Sequence, residues 1–589
     1  MTDPIRIANA SGFYGDRFSA MAEQITGGHI DVVTGDYLAE LTMLILWKAK
    51  QKSPGQGYAV TFLEQMKEVL AEVSQRGIKV VTNAGGLDPA GLAGELRRIT
   101  QTLDIDVTIA HVEGDDFLPR LGTMIGDGHE FRNLDTSRSL ADLAAPPLTA
   151  NAYLGAWGIV EALDRGADIV VTGRVADAAL VVGPAAWHHG WALDDWDSLA
   201  GAVAAGHILE CGAQATGGNF SFFDEIPDLT HPGFPIAEVA EDGSSVITKH
   251  EDTGGAVTVD TVTAQILYEI DAPAYPTPDV VAHFDTIKLD QVGDDRVEVA
   301  GVRGSRAPKD LKAAINYLGG YRNSMTLVIV GGDAQKKATL VEDALRLELA
   351  GERKPDVLEF AFSATGHSDA DVNTQAVSTL RITAMDADPG KVGRAFSSSV
   401  VALALASYPG FFATAPPTGE SPYGVFWPAL VSRSLIDQVV VLEDGSRLKV
   451  PDPPYGRSDA DHVVSNVSAP VPGGETLRVP LGTIAGARSG DKGGNANIGI
   501  WARSDHAYMW LVKELTTQRL QELLPETEPL TVDRYELPNI KGLNFVVHGL
   551  LGDGVASSTR FDPQAKSLGE WLRSRIVSIP VDLLDSIDA

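Results

Sequence analysis

Short apolar runs alternate with amphipathic helical segments along the first third of the chain. The runs lie at residues 5–8, 30–34, 78–82, 107–112 and 167–172. Each run is rich in Val and Ile, has little polar alternation, and ends in glycine or small polar residues, which indicates strands buried on both faces. Strands that alternate with helices predict right-handed crossovers. The pattern therefore predicts an α/β fold with a doubly wound, mostly parallel sheet.

The middle of the chain is less regular. Residues 246–263 and 280–302 predict mainly strands. A further strand at 327–330, followed by Gly331-Gly332 and a helix to about residue 349, predicts a second α/β layer.

Proline and glycine concentrate between residues 451 and 476, which predicts a linker. We expect it to separate a main α/β domain, residues 1–450, from a C-terminal domain, residues 477–589. The order of strands and helices after the linker predicts a small α+β domain. Whether the main domain divides into two lobes, about 1–270 and 271–450, stays open.

The composition narrows the classes of partner. The 589 residues carry a formal charge of −32, which argues against nucleic acid and anionic membranes as partners. A single cysteine excludes an intramolecular disulfide, and the N-terminus lacks the basic and apolar pattern of a signal peptide. We therefore expect a cytoplasmic protein. Long apolar segments and a separate C-terminal domain favour a homo-oligomer.

The first candidate site lies at the ends of the predicted strands, where open α/β sheets bind ligands. Its ligand-binding and acid/base candidates are Asn9, Gly12, Asp16, Asp36, Asn83, Gly85, Gly86, Arg174 and Asp177. Glycines there allow backbone N–H groups to approach an anion. The spacing is neither G-x-G-x-x-G nor that of a P-loop, so a dinucleotide site and a Walker site are not supported. The alternative is that these glycines only cap strands and helices.

The second candidate site is the segment 210–219. Gln214, Thr216 and Asn219 offer hydrogen bonds among three glycines, which suits a carbonyl or phosphate group, although a plain helix-ending loop explains them equally well. Cys211 follows Glu210, whose charge raises a thiol pKa, so we interpret it as a small buried thiol.

The third candidate site is a predicted glycine-rich loop within residues 485–497. It holds Arg488, Ser489, Asp491, Lys492 and Asn495. Arg and Lys beside glycines suit a phosphate or carboxylate, and Asp491 offers a base, a metal ligand or a partner for Lys492. The alternative is a tight turn with an internal ion pair. Neither H-E-x-x-H nor G-x-S-x-G occurs in the sequence, so no zinc site is predicted and an ordinary serine hydrolase is excluded.

Eight segments, in order along nearly the whole chain, resemble one family: the acyclic terpene utilisation protein AtuA, formerly a domain of unknown function. They are residues 34–42, 83–86, 167–177, 210–219, 233–238, 253–257, 267–269 and 487–495. The resemblance implies a main domain, an AtuA-like C-terminal domain, and a place in the catabolism of branched acyl-CoA thioesters. It transfers no catalytic residue.

The leading hypothesis is a lyase or hydro-lyase that acts on a branched acyl-CoA thioester. Asp36, Asp177 and Asp491 are its acid/base candidates, and Lys492 joins them as a catalytic candidate. Arg174, Arg488 and Lys492 are the candidates for binding the CoA pyrophosphate. CoA would enter as part of the substrate, and no resident cofactor is assigned.

Two alternatives stay open at this stage. One is a non-catalytic subunit that binds a thioester or serves as a scaffold in an acyl-CoA carboxylase pathway. The other is a metal-assisted phosphohydrolase, in which Asp16, Asp36, Asn83, Asp115 and Asp177 hold Mg²⁺.

Overall fold

The computed structural model describes residues 3–39, 42–53, 55–456, 470 and 473–585. Its elements up to residue 209 are β1 (Ile5–Asn9), α1 (Ala20–Thr26), β2 (Val32–Gly35), α2 (Thr42–Lys52), α3 (Val60–Arg76), β3 (Lys79–Thr82), α4 (Pro89–Leu103), β4 (Ile109–Glu113), α5 (Leu118–Gly126), β5 (Pro147–Ala152), α6 (Trp157–Asp164), β6 (Ile169–Thr172), α7 (Ala179–His189) and α8 (Trp196–Leu209).

The next elements run to residue 449. They are β7 (Pro235–Val239), β8 (Ser245–Lys249), α9 (Val259–Glu269), β9 (Ala274–Pro276), β10 (Val281–His283), β11 (Lys288–Gly293), β12 (Arg296–Ala300), β13 (Arg303–Ser305), β14 (Asp310–Val330), α10 (Ala334–Glu348), β15 (Val357–Ser363), β16 (Val377–Asp386), α11 (Pro389–Val392), α12 (Arg394–Ala402), β17 (Phe412–Ala413), β18 (Ser421–Ser432), β19 (Val439–Val441) and β20 (Arg447–Lys449).

The largest sheet has the strand order β11-β12-β8-β7-β1-β2-β3-β6-β4-β19-β20. Its centre, β1-β2-β3-β6-β4, is parallel. The strands on both flanks pair antiparallel. The sheet is thus mixed, and the prediction of a doubly wound, mostly parallel sheet is not confirmed. The α/β class is confirmed, and the central strands begin and end within a few residues of their predicted bounds.

The central strands are buried on both faces, as their apolar sequence indicates. In β1, Ile5 and Ile7 pack with residues of α6, α7 and α8, while Ala8 packs on the opposite face with residues of α1, α3 and α4. Because side chains alternate along a strand, a continuous apolar run supplies two cores. The polar residues that follow these parallel strands therefore lie together at one edge of the sheet.

A second, antiparallel sheet is built on β14, a strand of 21 residues. It pairs with β16, β17, β18 and β5. The predicted strand 327–330 is the end of β14, and the helix expected after Gly331-Gly332 is α10, so this strand–glycine–helix unit belongs to an antiparallel sheet. Residues 259–263, the end of a segment predicted to be mainly strands, are helical instead and begin α9. Thr258 and Thr261 form a capping box at the start of α9, a signal that outweighs the β-branched composition of that segment.

The C-terminal part contains β21 (Thr476–Pro480), β22 (Ala485–Lys492), β23 (Asn495–Ala502), α13 (Asp505–Glu514), α14 (Thr517–Leu523), β24 (Val532–Leu537), β25 (Gly542–Val547), α15 (Leu568–Arg573), β26 (Ile576–Pro580) and α16 (Val581–Asp585). The sheet β22-β23-β25-β24 is antiparallel and has an apolar core of its own. Of the predicted linker, residues 457–469 and 471–472 lie outside the described residues. No helix in the described part is long and apolar enough to cross a membrane.

The predicted glycine-rich loop of the third candidate site is a β-hairpin instead. β22 and β23 pair from Ala485 to Ala502, with Gly493 and Gly494 at the turn. A Cβ on Gly486 would lie 2.2 Å from the Trp501 ring, so this glycine permits close packing within a strand rather than a loop.

Candidate functional site

Asp36 lies directly after β2, at the carboxyl edge of the parallel strands. Its Oδ1 accepts hydrogen bonds from Asn83 Nδ2 at 2.7 Å and from Leu38 N at 3.0 Å. Asn83 follows β3, the parallel neighbour of β2, and its own Oδ1 accepts a bond from Tyr37 N at 2.8 Å. Both side chains are buried, so the two strand ends lock one carboxyl group in place.

Arg174 and Asp177 follow β6, the next parallel strand. Arg174 Nη1 lies 3.0 Å from Asp177 Oδ1 and donates to Leu38 O at 2.6 Å. The guanidinium also stacks over the Tyr153 ring, 4.2 Å from its centroid. The Arg174 side chain is only 4% exposed, whereas that of Asp177 is 33% exposed. The carboxyl group of Asp177 therefore reaches the solvent side of the site.

His207 and Glu210 come from the C-terminal end of α8, which is buried along most of its length. The spacing of three residues places both on one face, and His207 Nδ1 lies 3.4 Å from Glu210 Oε1. The two side chains are 4% and 7% exposed. Among the described residues, no group hydrogen-bonds to Glu210 Oε2.

Glu269, at the end of α9, meets Lys492 from the C-terminal hairpin. Lys492 Nζ lies 3.5 Å from Glu269 Oε2 and donates to the Glu269 carbonyl. Glu269 Oε1 accepts from Cys211 Sγ at 3.1 Å. The C-terminal domain thus contributes an ammonium group, 24% exposed, to a site built by the main domain.

These groups form one cluster, called the acidic cluster below: Asp36, Asp177, Glu210, Glu269, His207, Arg174 and Lys492. One imidazole nitrogen of His207 and one carboxyl oxygen each of Glu210 and Glu269 lie within 4.8 Å of one another. One carboxyl oxygen each of Asp36, Asp177 and Glu210 also lie within 4.8 Å of one another. Glu210 joins the two sets. Four carboxyl groups therefore face two permanent cations.

Burial and mutual repulsion divide the carboxyl groups into two kinds. Burial, reinforced by the charge of Asp177, raises the pKa of Asp36 to about 8. Burial and the neighbouring Glu269 raise the pKa of Glu210 well above its usual range. Although burial acts in the opposite sense, the Lys492 ammonium holds the pKa of Glu269 below its usual range. Carboxyl groups with separated pKa values are the arrangement that acid and base catalysis requires.

His207 and Lys492 are shifted by the same environment. Burial lowers the pKa of His207 to about 4, so the imidazole is neutral at physiological pH. Burial opposes the charge of Lys492, yet Glu269 raises its pKa. The ammonium is therefore a fixed positive charge beside the carboxyl groups.

The predicted glycines act through close approach of backbone. A Cβ on Gly12 would lie 2.8 Å from the Glu210 carbonyl oxygen, and one on Gly85 would lie 2.5 Å from the Thr172 oxygen. Gly86 has φ +50°, a left-handed conformation, and packs on Leu46. These glycines allow close backbone packing around the strand ends.

Asn9 and Asp16 hold the first turn in shape. Asn9 Oδ1 accepts from Ser11 N at 2.7 Å. Asp16 accepts from Gly12 N at 2.8 Å and from Arg17 N at 2.7 Å. Their polar atoms serve the backbone of the turn.

The second candidate segment receives Arg488 from the C-terminal domain. Arg488 donates to Gln214 Oε1 and to Asn219 O, the latter at 3.1 Å, and stacks over Tyr268 at 4.8 Å. Thr216 Oγ1 donates to a main-chain oxygen at 2.6 Å. Arg488 is therefore part of the domain interface beside the acidic cluster.

Ser489, Asp491 and Asn495 contact residues outside the acidic cluster. Ser489 Oγ accepts from the Gly569 amide at 2.9 Å. Asp491 Oδ1 lies 3.6 Å from Lys566 Nζ. Asn495 donates to an oxygen of Asp135 at 2.8 Å.

Sequence reasoning missed His207, Glu210 and Glu269 as site residues. The sequence gives Glu210 a role only through its effect on Cys211, and Glu269 stands out only as part of the family segment 267–269. The spacing His-x-x-Glu at the end of an apolar helix is the signal that was present for two of the three.

Two family models match the chain. The model of the acyclic terpene utilisation family protein AtuA matches residues 5–442, and that of the AtuA ferredoxin-like domain matches residues 479–578. The chain belongs to the AtuA family. The resemblance inferred from the sequence motifs is thereby confirmed, and the second model identifies the C-terminal domain of this AtuA protein as ferredoxin-like. No curated protein and no solved structure matches it.

Proposed function

We propose that this AtuA protein is a lyase or hydro-lyase that acts on a branched acyl-CoA thioester in acyclic terpene utilisation. The observation that carries the proposal is the Asp36–Asp177 carboxyl pair in one partly open cluster, which Glu210 and Glu269 connect to Lys492. Family membership supports the metabolic setting. The cluster supports the reaction class.

Elimination from a 3-hydroxyacyl thioester needs three groups. Asp177, the most exposed carboxyl group, takes the proton from the carbon next to the thioester carbonyl. The ammonium of Lys492 stabilises the negative charge that develops on the carbonyl oxygen. Asp36 delivers a proton to the departing hydroxyl group, so a C–H and a C–O bond break, a C=C bond forms, and water leaves. The reverse sequence hydrates the double bond.

We assign the acyl end of the substrate, rather than its CoA end, to this site. Arg174 and Arg488 are buried and bonded to protein oxygens. They are therefore poorly placed to bind the CoA pyrophosphate, the role that the sequence predicted for them. Lys492 is the cation that we assign to substrate.

The test begins with thermal stability in the presence of branched 3-hydroxyacyl-CoA, enoyl-CoA and free CoA. We expect a thioester to raise the melting temperature and to be converted, with a change in enoyl absorbance. Asp36→Asn and Lys492→Met should lower kcat/KM by about 100-fold or more. Asp106→Asn, which removes an exposed carboxyl group outside the site, is the control. A protein that neither binds nor converts any thioester would contradict the proposal.

A further inference from the structure

We propose that His207, Glu210 and Glu269 bind a divalent first-row transition-metal ion. The inference concerns the acidic cluster, and its relevance to catalysis rests on the proposed function. Binding itself is a property of the free protein and does not depend on which thioester is used.

The geometry of the three side chains suits one ion. Their donor atoms lie within 4.8 Å of one another, and His207 Nδ1 is 3.4 Å from Glu210 Oε1. Donor atoms bound at about 2.1 Å from an octahedral ion are about 3.0 Å apart when adjacent and about 4.2 Å apart when opposite. Contraction by less than about 1 Å therefore completes the site, with little change of side-chain position.

A buried oxygen without a donor supports the inference independently of the spacing. No amide, hydroxyl or cationic group among the described residues donates to Glu210 Oε2, and its side chain is only 7% exposed. The neighbour of this carboxyl group is that of Glu269, so the two must share either a proton or a cation. A cation between Glu210 and Glu269 would satisfy this oxygen.

The charge of the ligand set also suits a divalent ion. Glu210 and Glu269 supply two carboxylates and His207 supplies a neutral imidazole nitrogen, so the bound unit carries no net charge. The Glu269 carboxyl group is also fixed in position. Gln265 and Cys211 both donate to its Oε1, and its Oε2 faces Lys492.

The ligand set selects the class of ion. One imidazole nitrogen with two carboxylates is suited to Mn²⁺, Fe²⁺, Co²⁺ or Zn²⁺, whereas Mg²⁺ and Ca²⁺ prefer oxygen alone. Such an ion would polarise a thioester carbonyl next to Lys492, the role that the proposed function gives to positive charge.

Mn²⁺ is the probe that tests the site. Full-length protein, stripped with a chelator and dialysed, is titrated with Mn²⁺ while electron paramagnetic resonance records the free ion. We expect tight uptake with a ¹⁴N coupling from the imidazole. Glu210→Gln and His207→Gln should each weaken binding beyond the roughly 10–100-fold cost of losing an outer-shell partner, and His207→Gln should remove the coupling.

Glu23 and His231 provide matched controls, because they form an exposed Glu–His pair with 3.1 Å between Oε1 and Nε2. Glu23→Gln and His231→Gln should bind Mn²⁺ as the unmodified protein does. The inference is overturned if no Mn²⁺ is taken up, or if His207→Gln binds with unchanged affinity and coupling. Loss on Asp36→Asn with His207→Gln unaffected would place the ion at the Asp36–Asp177–Glu210 set and also overturn it.

The outcome is separable from that of the proposed function. If the chelator-treated protein converts a thioester but takes up no Mn²⁺, the proposed function stands and the metal site is refuted. If the protein binds Mn²⁺ through His207 but neither binds nor converts any thioester, the metal site stands and the proposed function is refuted.

Discussion

Replacing Asp36 by Asn should stabilise the fold while it removes activity. The raised pKa of Asp36, about 8, compares with about 3.9 in an unfolded chain. Folding at pH 7 must therefore protonate a group that is charged when unfolded. Asn keeps the oxygen that accepts from Asn83 and Leu38, and it carries no charge to bury.

The magnitude follows from the difference between the two pKa values. One pKa unit corresponds to 1.36 kcal/mol, so about three units between pH 3.9 and pH 7 give a cost of about 4 kcal/mol. Asp177 and Arg174 face the same carboxyl group, and the protonation of Glu210 is coupled to that of Asp36, so we expect a gain of about 2–4 kcal/mol at pH 7.

The sign of the pH dependence is the sharper test. Because the folded pKa is the higher one, the cost is absent below about pH 4, grows as the pH rises, and is constant above about pH 8. The advantage of Asp36→Asn should therefore grow by about 2–3 kcal/mol between pH 5.5 and 7.5. With an unfolding entropy of about 1.2 kcal/mol/K for a chain of this length, that growth is about 2 °C in melting temperature.

The assay is calorimetry of both proteins in a chelator across that pH range, with Asp106→Asn as the control for losing one negative charge. A variant that is less stable than the unmodified protein, or an advantage that does not change with pH, would refute the reasoning about buried charge.

Two further predictions concern the walls of the cluster and the domain contact. Gly12→Ala should lower the free energy of unfolding by about 1–3 kcal/mol in urea titrations, because its Cβ meets the Glu210 carbonyl at 2.8 Å. Gly94→Ala, on an open face of α4, should instead raise it by about 0.5–1 kcal/mol; equal effects would contradict the packing argument. Lys492→Met should cost about 1–3 kcal/mol by leaving Glu269 without its cation, and Glu269→Gln in the same chain should recover part of the loss. Additive effects of these two changes, measured by melting, would show that the pair is not coupled.

The parts of the site that sequence could predict depend on short-range rules. Asp36, Asn83 and Arg174 follow neighbouring parallel strands, so the strand pattern alone places them at one edge. The hydrogen bond between Asp36 and Asn83 is the direct result.

The parts that sequence could not predict depend on distant contacts. Lys492 donates to the Glu269 carbonyl across 223 positions of the chain, a distance that no periodicity records. Glu269 ends α9, whose first residues are rich in β-branched side chains and were predicted to form a strand. The glycines of β22 suggested a loop. In the structure, Gly486 packs against the Trp501 ring and Gly490 against the Tyr268 ring, where a Cβ atom would clash.

Hydrogen exchange at the carbon next to the thioester carbonyl tests the central claim most directly. The claim is that the acidic cluster removes and returns a proton at that carbon. A branched acyl-CoA that stabilises the protein is incubated with it in D₂O, and deuterium uptake is followed by mass spectrometry. We predict uptake with the unmodified protein, with Asp106→Asn and with Asp36→Asn, whose side chain acts on the hydroxyl group, and a loss of about 100-fold or more with Asp177→Asn or Lys492→Met. A bound thioester that gains no deuterium, or equal uptake in all of these proteins, would contradict the account.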